Sequence, residues 1–175
     1  MIDWVPRLGW GPTVTLALFV CGYFIRWGLD AWEKRGQRRK YFISIFTEIK
    51  LNVIALDEAI KVLPPQAAIA AFLAKNNTNR PHMISNYISK IYESHSSQLT
   101  ELPDTITRNI IEFYGMLDFI DEFVKSFERK SFETISADGR EKSVEALRAQ
   151  FKATLAKGQA LADLLKRELK VPDLA

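Results

Sequence analysis

Apolar residues return along most of the chain in alternating steps of four and three. Phe42, Phe46, Ile49, Val53, Leu56, Ile60 and Leu63 form one such seam, and Ile106, Ile110, Phe113, Leu117, Ile120, Val124 and Phe127 form a second. A mean step of about 3.5 residues puts each set on one helix face. Ile45 and Ile54 widen the first stripe, and Met116, Phe119 and Phe123 the second. Stripes of that width predict bundle helices rather than an isolated two-stranded coil. Pro64-Pro65 stops the first helix. Asp104 is placed to cap the second after Pro103, and Lys125, Arg129 and Lys130 suit the negative end of its dipole.

A third long helix is predicted from Asp138, with Glu141 completing an Asp-type capping box. Val144, Leu147, Phe151, Leu155, Leu161, Leu165 and Leu169 form its stripe, which is broken near Thr154 and Gly158, where a neighbour can pack closely. Pro172 ends it. Between the first two long helices, Gln66–Lys75 is Ala-rich and predicted helical, and Asn76–His82 is a polar loop. Ile84, Ile88 and Ile91 step along a further short helix, since apolar residues there do not alternate as in a strand. Asn52, beside the first seam, either faces a polar rim, the favoured reading, or fixes register inside the core.

The N-terminal stretch has a different pattern. Leu8–Ile25 holds 18 residues without a charge, about 27 Å of helix against a hydrocarbon core of about 30 Å. Trp4 and Trp10 stand at one end, and Arg26, Trp27 and Trp32 at the other, as at the two interfaces of a spanning helix. A neutral start and a bulky run over 23–27 argue against a cleaved signal peptide. Thr13, Ala17 and Cys21, four apart, and Gly28 form a small-residue face suited to helix packing in a membrane.

The sequence therefore predicts an all-α protein: one N-terminal transmembrane helix followed by an up-and-down cytoplasmic helical bundle. Its parts are a short outer tail (1–7), the transmembrane helix with interfacial flanks (8–33), a basic juxtamembrane segment (34–40) and the bundle (41–175).

Charge fixes the expected orientation. The 175 residues carry 24 Lys+Arg and 21 Asp+Glu, a formal +3. Residues 26–40 alone hold six basic side chains (Arg26, Lys34, Arg35, Arg38, Arg39, Lys40) against two acidic ones, whereas 41–175 is close to neutral. A short basic patch beside the most apolar stretch suits a membrane surface, not a nucleic acid, which is met by cations spread over a folded face. Positive flanks stay inside, so the N-terminus is expected outside and the bundle in the cytoplasm.

Candidate chemistry is absent. One Cys excludes an internal disulfide. Neither His82 nor His95 stands in a zinc or di-iron spacing, and there is no phosphate-binding glycine loop or nucleophile elbow. No enzymatic activity, cofactor, metal or small-molecule substrate is expected. The expected partners are membrane lipids and another membrane protein or further copies of the chain. A signalling or regulatory relay, or binding to an anionic lipid surface, is the alternative role.

Four segments, Glu48-x-x-x-Asn52, Ile91-Tyr92-Glu93, Leu99-x-x-Leu102-Pro103 and Phe113-Tyr114, carry a resemblance. In them the chain is similar to a loose class of uncharacterised bacterial proteins with one N-terminal span and a cytoplasmic helical domain. The resemblance implies a bacterial inner-membrane protein and supplies no catalytic residues.

Overall fold

The structure, a computed structural model, describes residues 10–83, 85 and 87–169; of these, the side chains of 10–21, 30, 31, 34, 35 and 169 are not described. Five α-helices follow one another: α1 (Trp10–Val62), α2 (Gln66–Lys75), α3 (Lys90–Ser94), α4 (Asp104–Glu128) and α5 (Ala137–Leu169). Tight 3-10 turns at Ser96–Glu101 and Lys130–Thr134 lead into α4 and α5. No strand occurs among the described residues, so the all-α expectation holds. The chain divides into two units, Met1–Tyr41 and Phe42–Ala175.

In the first unit, Tyr23, Phe24, Ile25, Trp27, Leu29 and Trp32 are all exposed. Among the described residues no helix is long and apolar enough to cross a membrane. The expected span over 8–33 is not met by them: Leu8 and Gly9 lie outside the described residues. From Trp10 to Ile25 the apolar run covers about 24 Å of helix, short of a core of about 30 Å.

The second unit is built on the predicted seams. All seven apolar positions of the α4 seam are buried, and so are Val144, Leu147, Phe151, Leu161 and Leu165 of α5. Antiparallel packing of α4 and α5 is fixed by Lys157, whose ammonium meets Asn109 (2.7 Å) and Glu112. Gly158 marks a close approach of helices. A Cβ there would lie 2.6 Å from the Phe113 ring of α4 and 2.7 Å from Val53 of α1. Three long helices converge on this glycine, as the break in the α5 stripe anticipates.

Gly158 meets Val53 and the Arg148 guanidinium meets the Pro64 carbonyl, so α5 also runs antiparallel to the end of α1. Hence α1 and α4 are parallel. The chain returns from the end of α1 along a non-helical stretch, described at 80–83, 85 and 87–89, that lies against both helices. Ser85 donates to Asp121 (2.6 Å), Tyr87 to Asp118 (2.7 Å), and the Tyr92 ring stacks on Tyr114 at 4.0 Å. The sequence predicts a helix from Ile84; Ile84 lies outside the described residues, 85 and 87–89 are not helical, and Lys90–Ser94 is.

The first seam is also rotated. Ile45, Glu48, Ile49 and Asn52 are buried, whereas Ile54 is 56% exposed. One side of α1 packs on α4 and α5 and the other on the returning segment, so its buried face is wider and shifted from the apolar seam. At the helix starts, Asp104 is the first residue of α4, not its cap, and no side chain caps that end. The α5 cap is Ser136, which accepts the Gly139 N–H at 3.2 Å, while Asp138 pairs with Lys142 (2.7 Å).

Gly158→Ala is expected to lower stability by about 1–3 kcal/mol, because the Phe113 ring and the β-branched Val53 must both move. Thermal unfolding followed by far-UV circular dichroism measures this. An unchanged midpoint would mean that the three helices are not closed on this residue.

Candidate functional site

The returning segment is held by two polar side chains one turn apart on α1. The Asn52 amide, 1% exposed, accepts from the Ile88 N–H and donates to the Ile88 carbonyl, both at 2.7 Å. A side chain thus gives one residue both hydrogen bonds that a neighbouring strand would give it, which holds Ile88 out of a helix. Glu48, 3% exposed, accepts from the Ile91 N–H (2.7 Å), the Tyr92 N–H (3.2 Å) and the Tyr114 hydroxyl (2.5 Å). Ile91 and Tyr92 open α3, whose first N–H groups have no partner within the helix. The carboxylate caps that helix from a distant part of the chain, and three donors offset the loss of water around its charge. The rim reading of Asn52 is therefore corrected: it lies in the core and sets register.

Arg140 does the same at the other end of the bundle. It is fully buried, and its guanidinium donates to the carbonyls of Leu73 (2.9 Å), Asn76, Asn77 (2.9 Å) and Asn79 and to the Asn77 side chain. Its face lies 6.0 Å from the Phe132 ring centre. A cation set on the free carbonyls at the end of α2 is favoured by that helix's dipole. No pattern in the sequence marked Arg140, because its partners are main-chain carbonyls of a loop.

Between these anchors lies a recess of about 740 Å³. Ala55, Ala59 and Val62 of α1, Ile69 and Phe72 of α2, and Met83 supply its apolar wall, and Glu58, Arg80 and His82 its polar atoms. Arg80 is occupied by the Glu128 carbonyl (2.5 Å) and the Glu133 carboxylate. The recess offers apolar surface of small-ligand size. None of its side chains pairs with another as nucleophile and base, and no group of three His, Cys, Asp or Glu among the described residues could hold a metal ion.

Two acidic side chains of α4 set the electrostatics of the returning segment. The Lys125 ammonium, 2.5 Å away, and the Ser85 hydroxyl hold the Asp121 carboxyl below the usual range. Burial and the bond to Asp118 push the Tyr87 phenol far up, and burial raises Tyr92.

Of the residues expected to meet a membrane, only some have described side chains. Trp4 lies outside the described residues. Trp10, Thr13, Ala17, Cys21, Lys34 and Arg35 lie on α1, with their side chains outside the described residues. Arg26, Trp27, Gly28, Trp32, Arg38, Arg39 and Lys40 are exposed, and a Cβ at Gly28 would meet nothing. By contrast Glu48, Asn52, Ile91, Tyr92 and Tyr114, taken from three separated segments, converge. No family model matches the chain, and no curated protein and no solved structure is similar to it.

Glu48→Ala is expected to cost about 3 kcal/mol or more, since two buried N–H groups and a phenol lose their acceptor; Tyr114→Phe costs about 1–2 kcal/mol. Denaturant titration of both and of the double variant measures the coupling, and additive losses would remove Glu48 as the shared acceptor. Because the folded Asp121 carboxyl titrates below its unfolded value, its contribution is complete above the ordinary carboxylate range. It is lost as pH falls through the depressed value. Asp121→Asn should therefore flatten the acid limb of the stability–pH curve, and a limb of unchanged slope would contradict the Lys125 pairing.

Proposed function

We propose that this protein is a non-enzymatic, single-pass membrane protein that serves as an accessory or scaffolding subunit of a larger membrane assembly. The N-terminal helix lies in the bilayer, spanning from Leu8 to the Trp27/Trp32 belt. The basic segment through Lys40 rests on anionic headgroups of the cytoplasmic leaflet, and the bundle contacts protein. One observation carries the reading. Tyr23, Phe24, Ile25, Trp27, Leu29 and Trp32 are each 58–76% exposed. At about 100° per residue, three consecutive apolar side chains already surround the helix. Over 23–25 no polar face is left to meet water, and the charged side chains begin only at Arg26, with Asp30 and Glu33 following, as where an apolar helix leaves a nonpolar solvent for an interface. Arg26, followed by Arg38, Arg39 and Lys40, supplies the flank that holds one end at the headgroups, each cation adding about 1 kcal/mol near an anionic leaflet. A bacterial inner membrane, with the N-terminus outside, fits this charge placement.

A second role, a relay across the membrane, is favoured by α1 continuing without a break from Trp10 to Val62. A flexible insertion at Gly36 separates the two roles: it abolishes a mechanical relay and leaves a tethered scaffold working.

Alkaline carbonate extraction of native membranes is expected to leave the full chain in the pellet and to release a variant lacking residues 1–33. Recovery of the intact full chain in the supernatant would overturn the membrane reading. Size measurement after mild solubilisation is expected to show an assembly larger than one chain, and a lone monomer would overturn the scaffolding role.

A further inference from the structure

The face of α4 turned away from the core has a symmetry that points to its partner. Ile111 and Phe119 are 51% and 55% exposed, and Gly115 stands between them with no atom within 4 Å of where its Cβ would be. Glycine in a helix interior costs stability relative to alanine. At Gly158 that cost is matched by three converging helices; at Gly115 no side chain among the described residues lies close enough to require it. Arg108 and Glu122, both exposed, lie seven residues to either side of Gly115, within about 20° of its direction around the helix; the Glu122 carboxylate also meets Lys125 (3.1 Å) and Arg129 (3.4 Å) of its own chain, at the surface, where such pairs exchange at little cost. A shallow recess of about 460 Å³, lined by Gly115, Met116, Phe119, Gln150 and the Lys157–Glu112 pair, opens beside the row.

We propose that two copies of this chain associate through this face, with their α4 helices antiparallel about a two-fold axis at Gly115. A residue a given number of places before Gly115 then faces the residue the same number after it in the other copy. Ile111 packs on Phe119 of the second copy, and Arg108 meets its Glu122, each contact occurring twice. The two missing Cβ atoms let the backbones approach, as small residues do at close helix crossings. The opposite charges fall at equal distances from the axis, so the face is complementary to itself; a parallel pairing would set Arg108 beside Arg108. A contact of this extent is small for a lasting dimer, so the association is reversible and concentration-dependent. The proposal rests on the bundle being a protein-contact module and is independent of where the N-terminal helix lies.

The test uses the full chain in mild detergent, with sedimentation equilibrium over a range of concentrations and thermal unfolding on the same samples. The wild type is expected to dimerise reversibly. Gly115→Ala is expected to raise the unfolding midpoint at monomeric dilution while weakening dimerisation about fivefold or more, a pair of opposite changes that a purely structural glycine would not give. R108E and E122R should each weaken the dimer about fivefold, and the double variant R108E/E122R should restore it. A wild type that stays monomeric, a G115A dimer of undiminished affinity, or a double exchange weaker than either single one would each overturn the proposal. Carbonate extraction of the same variants keeps the readings apart, since loss of membrane retention bears on the anchor alone.

Discussion

The buried carboxylate of Glu48 and the buried amide of Asn52 decide how this bundle is wound. A charge in an apolar core is costly unless donors surround it, and here the donors come from Ile91, Tyr92 and Tyr114. They can reach it only if the chain returns along α1 instead of forming another antiparallel helix. The parallel placement of α1 and α4, the stacking of Tyr92 on Tyr114 and the tethers from Ser85 and Tyr87 all follow from that return. Arg140 closes the opposite end by gathering the carbonyls that follow α2. Polar groups thus fix the path of the connections, while apolar seams supply the core.

This division of labour bears on the proposed role. The returning segment and its two anchors are interior structure, so the surfaces left for partners are the helix faces and the recess near the end of α1. The outward row of α4 is apolar at its centre and charged at both ends, an arrangement that suits contact with protein. The exposed aromatic girth of α1 before the basic patch suits lipid. The two kinds of surface belong to different units of the chain, which is the organisation a membrane-tethered scaffold requires.

The helices were legible in the sequence because burial on one face writes a period of about 3.6 residues into it. The α4 seam from Ile106 to Phe127 is buried as spaced, Pro64-Pro65 ends α1, and the break at Gly158 is a close crossing. Glu48, Tyr92 and Tyr114 meet one another, and Asn52 meets Ile88. The spacing could not tell that they meet one another, since the pairs lie 36 to 66 positions apart. Ser136 as the α5 cap and the non-helical course of 87–89 escape the spacing for a related reason: each depends on which distant or neighbouring acceptor captures a backbone N–H.

Sequence alone determined that this is an all-α chain, where its long helices begin and end to within a turn, and that its positive charge is concentrated next to an apolar run. These are local properties, set by side-chain periodicity and by proline. Only the tertiary structure decided the relative direction of α1 and α4, the burial of Asn52 and Arg140, and the open row about Gly115. Each of these depends on pairing groups far apart in the chain, and hydrogen-bond partners across a core leave no periodic trace in the order of residues.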